Sequence, residues 1–84
     1  MVELTHTLVD PMGFHARSVM LVCNEAQRWK SEVTVSHGEL SSTADDAISL
    51  MGLNAHVGDT LTIKIEGEDE QDAADFFAHL LRRL

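Results

Sequence analysis

The sequence predicts an α+β fold, a two-layer open-faced sandwich in the order β-α-β-β-α-β-α. Two periodicities carry this reading. Apolar residues alternate with polar ones in short runs near residues 2–9, 32–36 and 60–65, the period of a half-buried strand. They recur at i, i+3, i+4 and i+7 near residues 16–26 and 73–84, the period of an amphipathic helix. Strands with one apolar face need a cover on that side, and the three helices supply it.

The first strand places Val2, Leu4, His6 and Leu8 on one face and Glu3, Thr5 and Thr7 on the other. His6 therefore reads as a core or sheet-edge histidine. Helix one is expected from about His15 to Gln27, with Cys23 in its apolar stripe as a small buried hydrophobe. Trp29 is expected to cover one end of the core, its N–H directed to water or a carbonyl. Val33 and Val35 point inward from the second strand, and His37-Gly38 is the expected two-residue turn. The third strand, through Leu40, Ser42 and Ala44, is weakly apolar and suits an edge.

Asp45-Asp46 opens a short helix carrying Ala47, Ile48, Leu50 and Met51, and aspartate is a strong N-cap. Residues 53–58 form a loop before the fourth strand, whose Leu61, Ile63 and Ile65 point inward. Asp69 is the expected N-cap of helix three, and Phe76 and Phe77 are its expected core anchors. Acids in its first turn and Arg82-Arg83 in its last match the helix dipole.

The 84 residues are expected to form a single domain, 1–84. A hydrophobic fraction of 44% and one proline argue for a folded chain. A formal charge of −8 argues against non-specific binding to nucleic acid or anionic membrane. One cysteine excludes an internal disulfide, and neither a signal segment nor a membrane-spanning run is expected. The chain is expected in the cytoplasm as a monomer, without membrane insertion.

Pro11-Met12-Gly13-Phe14-His15-Ala16-Arg17-Ser18 is a turn that ends in a histidine and opens into a helix. His15 falls where the first amides of the helix, at Ala16, Arg17 and Ser18, lack main-chain partners. Those donors and the positive end of the dipole suit an anion and disfavour a protonated ring. Arg17 is a cation in a first turn, against the rule the other two helices obey. A visiting dianion accounts for it, which points to a histidine that is itself phosphorylated. No cofactor and no metal are expected, since the five histidines are scattered without ligand spacing.

Gly13-Phe14-His15-Ala16-Arg17 resembles the active-site motif of the HPr family, the histidine-containing phosphocarriers of the bacterial phosphotransferase system. The resemblance runs through Met51-Gly52-Leu53, Gly58-Asp59-Thr60-Leu61-Thr62-Ile63 and Glu66-Gly67-Glu68-Asp69-Glu70. It implies an HPr-like sheet of four antiparallel strands and phosphorylation of His15 on Nδ1. It also implies Enzyme I, charged by phosphoenolpyruvate, as donor and an enzyme IIA-type protein as acceptor. The chain is then a phosphoryl carrier, not a turnover enzyme. With that fold, Met12, Phe14, Met20, Ala47, Ile48 and Met51 surround His15 as a partner surface, methionines suiting one that re-packs against several partners.

Two residues depart from the family pattern. Ser18 replaces the usual proline, which either loosens the helix start or offers a phosphate another donor. Asp46 stands where members controlled by a dedicated serine kinase carry the target serine. It preserves the cap and removes the hydroxyl. This leaves open a second role, a regulatory paralogue that signals carbon or nitrogen status by binding regulatory proteins.

Overall fold

A computed structural model describes residues 1–84. Strands β1 (Val2–Thr7), β2 (Glu32–His37), β3 (Leu40–Thr43) and β4 (Thr60–Glu66) form one antiparallel sheet in the order β1-β4-β2-β3. Helices α1 (Ala16–Ala26), α2 (Ala47–Met51) and α3 (Glu70–Leu81) complete the expected β-α-β-β-α-β-α order. β4 lies between β1 and β2, with Leu4 opposite Ile63 and Val35 opposite Ile63 on its other side. β3 is an edge strand, as its composition suggests.

The core joins the alternating face of the sheet to the helical stripes. Val33, Val35, Leu61, Ile63 and Ile65 meet Val19, Val22, Cys23 and Ala26 of α1, Leu50 of α2, and Ala73, Phe77 and Leu81 of α3. Leu8, Leu53, Ala55 and Leu84 seal the end that carries His15. Phe77 is fully buried, and truncating such a ring to alanine costs about 3–5 kcal/mol.

Several local expectations are corrected. β1 ends at Thr7 rather than residue 9, because the Leu8 amide donates to Asp59 O at 2.9 Å and the Val9 amide to Leu84 O at 3.1 Å. α1 spans Ala16–Ala26, with His15 and Gln27 as its caps. The hairpin turn is Gly38-Glu39, not His37-Gly38, because His37 still pairs with Leu40. His37 thus belongs to β2, its Nδ1 bonds Leu53 O at 2.8 Å, and Gly38 takes the positive φ of +61°. Leu40 is half exposed, and Ser42 and Ala44 are the inward residues of that stretch.

Trp29 donates its indole N–H to the Glu25 carboxylate at 2.8 Å, not to water or a carbonyl, because Glu25 lies one helical turn before it. Phe76 is not a core anchor. It is 46% exposed, packs on Trp29 with ring centroids 5.3 Å apart, and lies beneath the Arg28 guanidinium. Asp69 holds the N-cap position of α3 but does not cap it. Its carboxylate instead accepts from the Lys30 and Ser31 amides, each at 2.9 Å, and from the Ser31 hydroxyl. Arg82 and Arg83 follow the last turn of α3, whose basic residue is His79. No helix is long and apolar enough to cross a membrane.

Candidate functional site

The site begins with the turn before α1. The Asp10 carboxylate accepts from the Met12 amide at 2.9 Å, and the Gly13 amide closes on Asp10 O at 2.8 Å. Gly13 adopts φ +68°, a conformation costly to residues with a Cβ. The Phe14 amide donates to Ala55 O at 3.0 Å, and its ring enters the core with 7% of its surface exposed. This corrects Phe14 as a surface residue, since its side chain anchors the turn from below.

His15 is the N-cap of α1, in extended backbone, and its side chain is 22% exposed. Its Nδ1 accepts from the Arg17 amide at 3.3 Å, and its Nε2 lies 3.2 Å from Asp10 Oδ2. One neutral tautomer satisfies both bonds, with the proton on Nε2 and the lone pair on Nδ1. Ser18 completes a capping box: its hydroxyl accepts from the His15 amide at 2.9 Å and donates to the His15 carbonyl at 3.0 Å. The residue is buried and both hydroxyl bonds serve the cap. Ser18 therefore closes the helix start that its lack of a proline ring was expected to loosen, and its hydroxyl is not a spare donor.

Arg17 is exposed and makes no ion pair with a carboxylate. A shallow depression is lined by Asp10, His15, Arg17, Ser18, Leu21, Arg83 and Leu84. The Met12 amide, then the His15 ring and the charge of Arg17, hold the Asp10 carboxyl below its usual range. Asp10 stays an anion beside the imidazole while Arg17 remains available.

Ala16, Val19, Met20, Ala47, Ile48 and Met51 form one wholly apolar surface depression between α1 and α2. Ile48 is 87% exposed and the two methionines are half exposed, so they do not fill the core. Met12 is exposed in the turn but lies outside this depression. Asp46 caps α2, accepting from the Ser49 amide at 3.1 Å. No cluster of three or more His, Cys, Asp or Glu side chains suits a metal ion.

Asp10 and Arg83 are the site residues that periodicity does not reveal. An aspartate ahead of Pro-Met-Gly does signal a turn that accepts the amide two residues on. That its second oxygen reaches back to His15 depends on how the turn closes. Arg83 reaches the depression only through the packing of α3.

The family model described as "PTS HPr component phosphorylation site" matches residues 2–83. The chain belongs to the HPr family. It is 36% identical over 75 residues to the phosphocarrier protein HPr of Mycoplasma pneumoniae, covering 88% of this chain and 85% of that one. Among solved structures, an HPr from Thermoanaerobacter tengcongensis superposes with a TM-score of 0.90 at 26% identity, covering 98% of this chain and 92% of that one. Crh of Bacillus subtilis, described as a catabolite repression containing protein and as a swapped dimer, superposes at 0.76 with 29% identity. That match covers 99% of this chain and 95% of Crh. The HPr fold is thus the sandwich that the alternating segments predict, and an HPr is a phosphocarrier rather than a turnover enzyme.

Proposed function

We propose that this single carrier domain accepts a phosphoryl group on Nδ1 of His15 from phospho-Enzyme I, charged by phosphoenolpyruvate. It then passes the group to an enzyme IIA-type acceptor in the cytoplasm. The carrying observation is the aim of the ring: Nδ1 faces the amide end of α1 while Asp10 occupies Nε2.

The Nδ1 lone pair attacks phosphorus. The N–P bond forms as the bond to the donor breaks, and that electron pair leaves with the donor. The Arg17 amide, no longer held by Nδ1, turns to a phosphoryl oxygen together with the amides of Ala16 and Ser18. The Arg17 guanidinium adds a charge-assisted contact. Such helix-end stabilisation is about 0.3–2 kcal/mol, enough to position the group and small enough to release it. In the reverse sense, the N–P bond breaks onto the acceptor and its electron pair returns to Nδ1.

The apolar depression beside Ala16 supplies a docking face common to donor and acceptor, used in turn. Incubation with phosphoenolpyruvate and Enzyme I is expected to give an acid-labile, base-stable phosphoprotein. Undiminished labelling of a His15→Ala variant overturns the assignment.

A regulatory role is the second reading, favoured by Asp46, which caps α2 without offering a hydroxyl, and by the likeness to Crh. Complementation of sugar uptake in a strain lacking its own carrier separates the two. Restored uptake counts against a purely regulatory protein.

A further inference from the structure

We propose that Asp10 is a positioning residue for phosphoryl transfer, one that keeps the His15 ring proton on Nε2 in both halves of the reaction. This rests on the carrier reading of His15 and adds to it the control of the proton opposite the reacting nitrogen.

The two carboxylate oxygens of Asp10 do different jobs. One accepts from the Met12 amide at 2.9 Å and fixes the carboxylate within the turn. The other faces His15 Nε2 at 3.2 Å. A carboxylate only accepts, so a neutral ring held against it carries its proton on Nε2. The Arg17 amide, a donor, enforces the same tautomer from the opposite side of the ring. A lone pair on Nδ1 is thus selected twice, by an acceptor behind the ring and a donor in front of it. Asp10 and His15 retain 34% and 22% of their side-chain surface, so water competes only partly for the bond.

The consequence is greatest when the phosphoryl group leaves. The pair from the N–P bond returns to Nδ1. With the proton still on Nε2 the departing group is neutral imidazole, whereas without it the departing group is an imidazolate, a far poorer leaving group. A carboxylate at Nε2 opposes loss of that proton, because the ring of the phosphorylated form is cationic while it stays protonated. Asp10 thereby keeps the bound phosphoryl group transferable without touching it.

Asp10→Asn separates this role from a structural one. The asparagine oxygen can keep the bond to the Met12 amide, and its NH2 group then faces Nε2 as a donor. The turn survives while the preference for the Nε2–H tautomer is opposed. Nitrogen-15 NMR of the labelled full chain at about pH 8.5, well above the ordinary histidine range, reads the tautomer directly.

The expected result is a wild-type ring protonated on Nε2, and a variant in which about a third or more of the rings carry the proton on Nδ1. Transfer from Enzyme I to the variant, and from the phosphorylated variant onward, is expected to slow about three- to tenfold. A wild-type ring protonated on Nδ1 overturns the proposal without any variant. So does an Asp10→Asn protein whose tautomer, or whose transfer rates, match wild type. If Enzyme I leaves wild-type protein unlabelled, the carrier reading fails, and the role in transfer falls with it even where the tautomer follows Asp10.

Discussion

Gly13 lies so close to Ala55 that a Cβ on it would stand 2.7 Å from the Ala55 carbonyl oxygen and 2.8 Å from the His56 Cα. Both neighbours are main chain, so no side chain can swing away. The φ of +68° adds a conformational penalty of its own. Gly13→Ala is therefore expected to destabilise the fold by about 2 kcal/mol or more, read from urea unfolding. Phosphoryl acceptance should fall as well, because the Phe14 amide bonds the same carbonyl and His15 follows it.

Arg17 makes the opposite prediction. Its guanidinium is exposed and unpaired and sits at the unfavourable end of a helix dipole. Arg17→Ala is expected to leave stability unchanged or raise it by a few tenths of a kcal/mol. Acceptance from Enzyme I should fall about 10- to 150-fold, the loss of one charge-assisted hydrogen bond of roughly 1.5–3 kcal/mol. Thermal melts alongside transfer kinetics check both halves. A destabilised variant would show that Arg17 serves the fold rather than the phosphate.

Ile48 tests the docking face. Being 87% exposed, it contributes little to the core, and Ile48→Ala should change stability by no more than about 0.5 kcal/mol. If partners bury it, the variant loses about 1–2 kcal/mol of association. The KM for Enzyme I should then rise roughly five- to thirtyfold with kcat nearly constant. An unchanged KM would place the contact elsewhere.

How much of this was open to reading in the chain depended on the range of the interaction. The strand alternation, the helix stripes and the cap at His15 are signals between near neighbours, and they survive into the structure. Phe14 misled because neither period extends through a turn, so its direction follows from the Ala55 carbonyl forty-one residues on. Phe76 misled because the stripe of α3 is wider than the surface available to it. Phe77 takes the place in the core, and Phe76 is left at the surface against Trp29 and Arg28. Asp69 looked like a cap because the residue type fits, but the Lys30 and Ser31 amides claim its oxygens.

That tie gives a pH prediction. The Ser31 hydroxyl first, then the Lys30 and Ser31 amides, hold the Asp69 carboxyl below its ordinary value of 3.8. A carboxyl depressed in the folded state contributes stability that is fully present above its unfolded value. The contribution is lost as pH falls from there through the lower folded value. The urea midpoint should therefore be level above about pH 5 and decline below about pH 4. Asp69→Asn should be less stable at pH 7 and show a shallower acid decline. A variant whose acid limb parallels wild type would assign the decline to other carboxylates.

The turn bearing His15 is tied to two remote segments by main-chain hydrogen bonds, besides the buried ring of Phe14. The Val9 and Asp10 amides reach Leu84 O, and the Phe14 amide reaches Ala55 O. Those hydrogen bonds contain no side-chain atom, so trimming an exposed side chain nearby leaves them in place. The methionines and Ile48 nearby can accordingly be exchanged to suit new partners, while the nucleophile keeps its bearing.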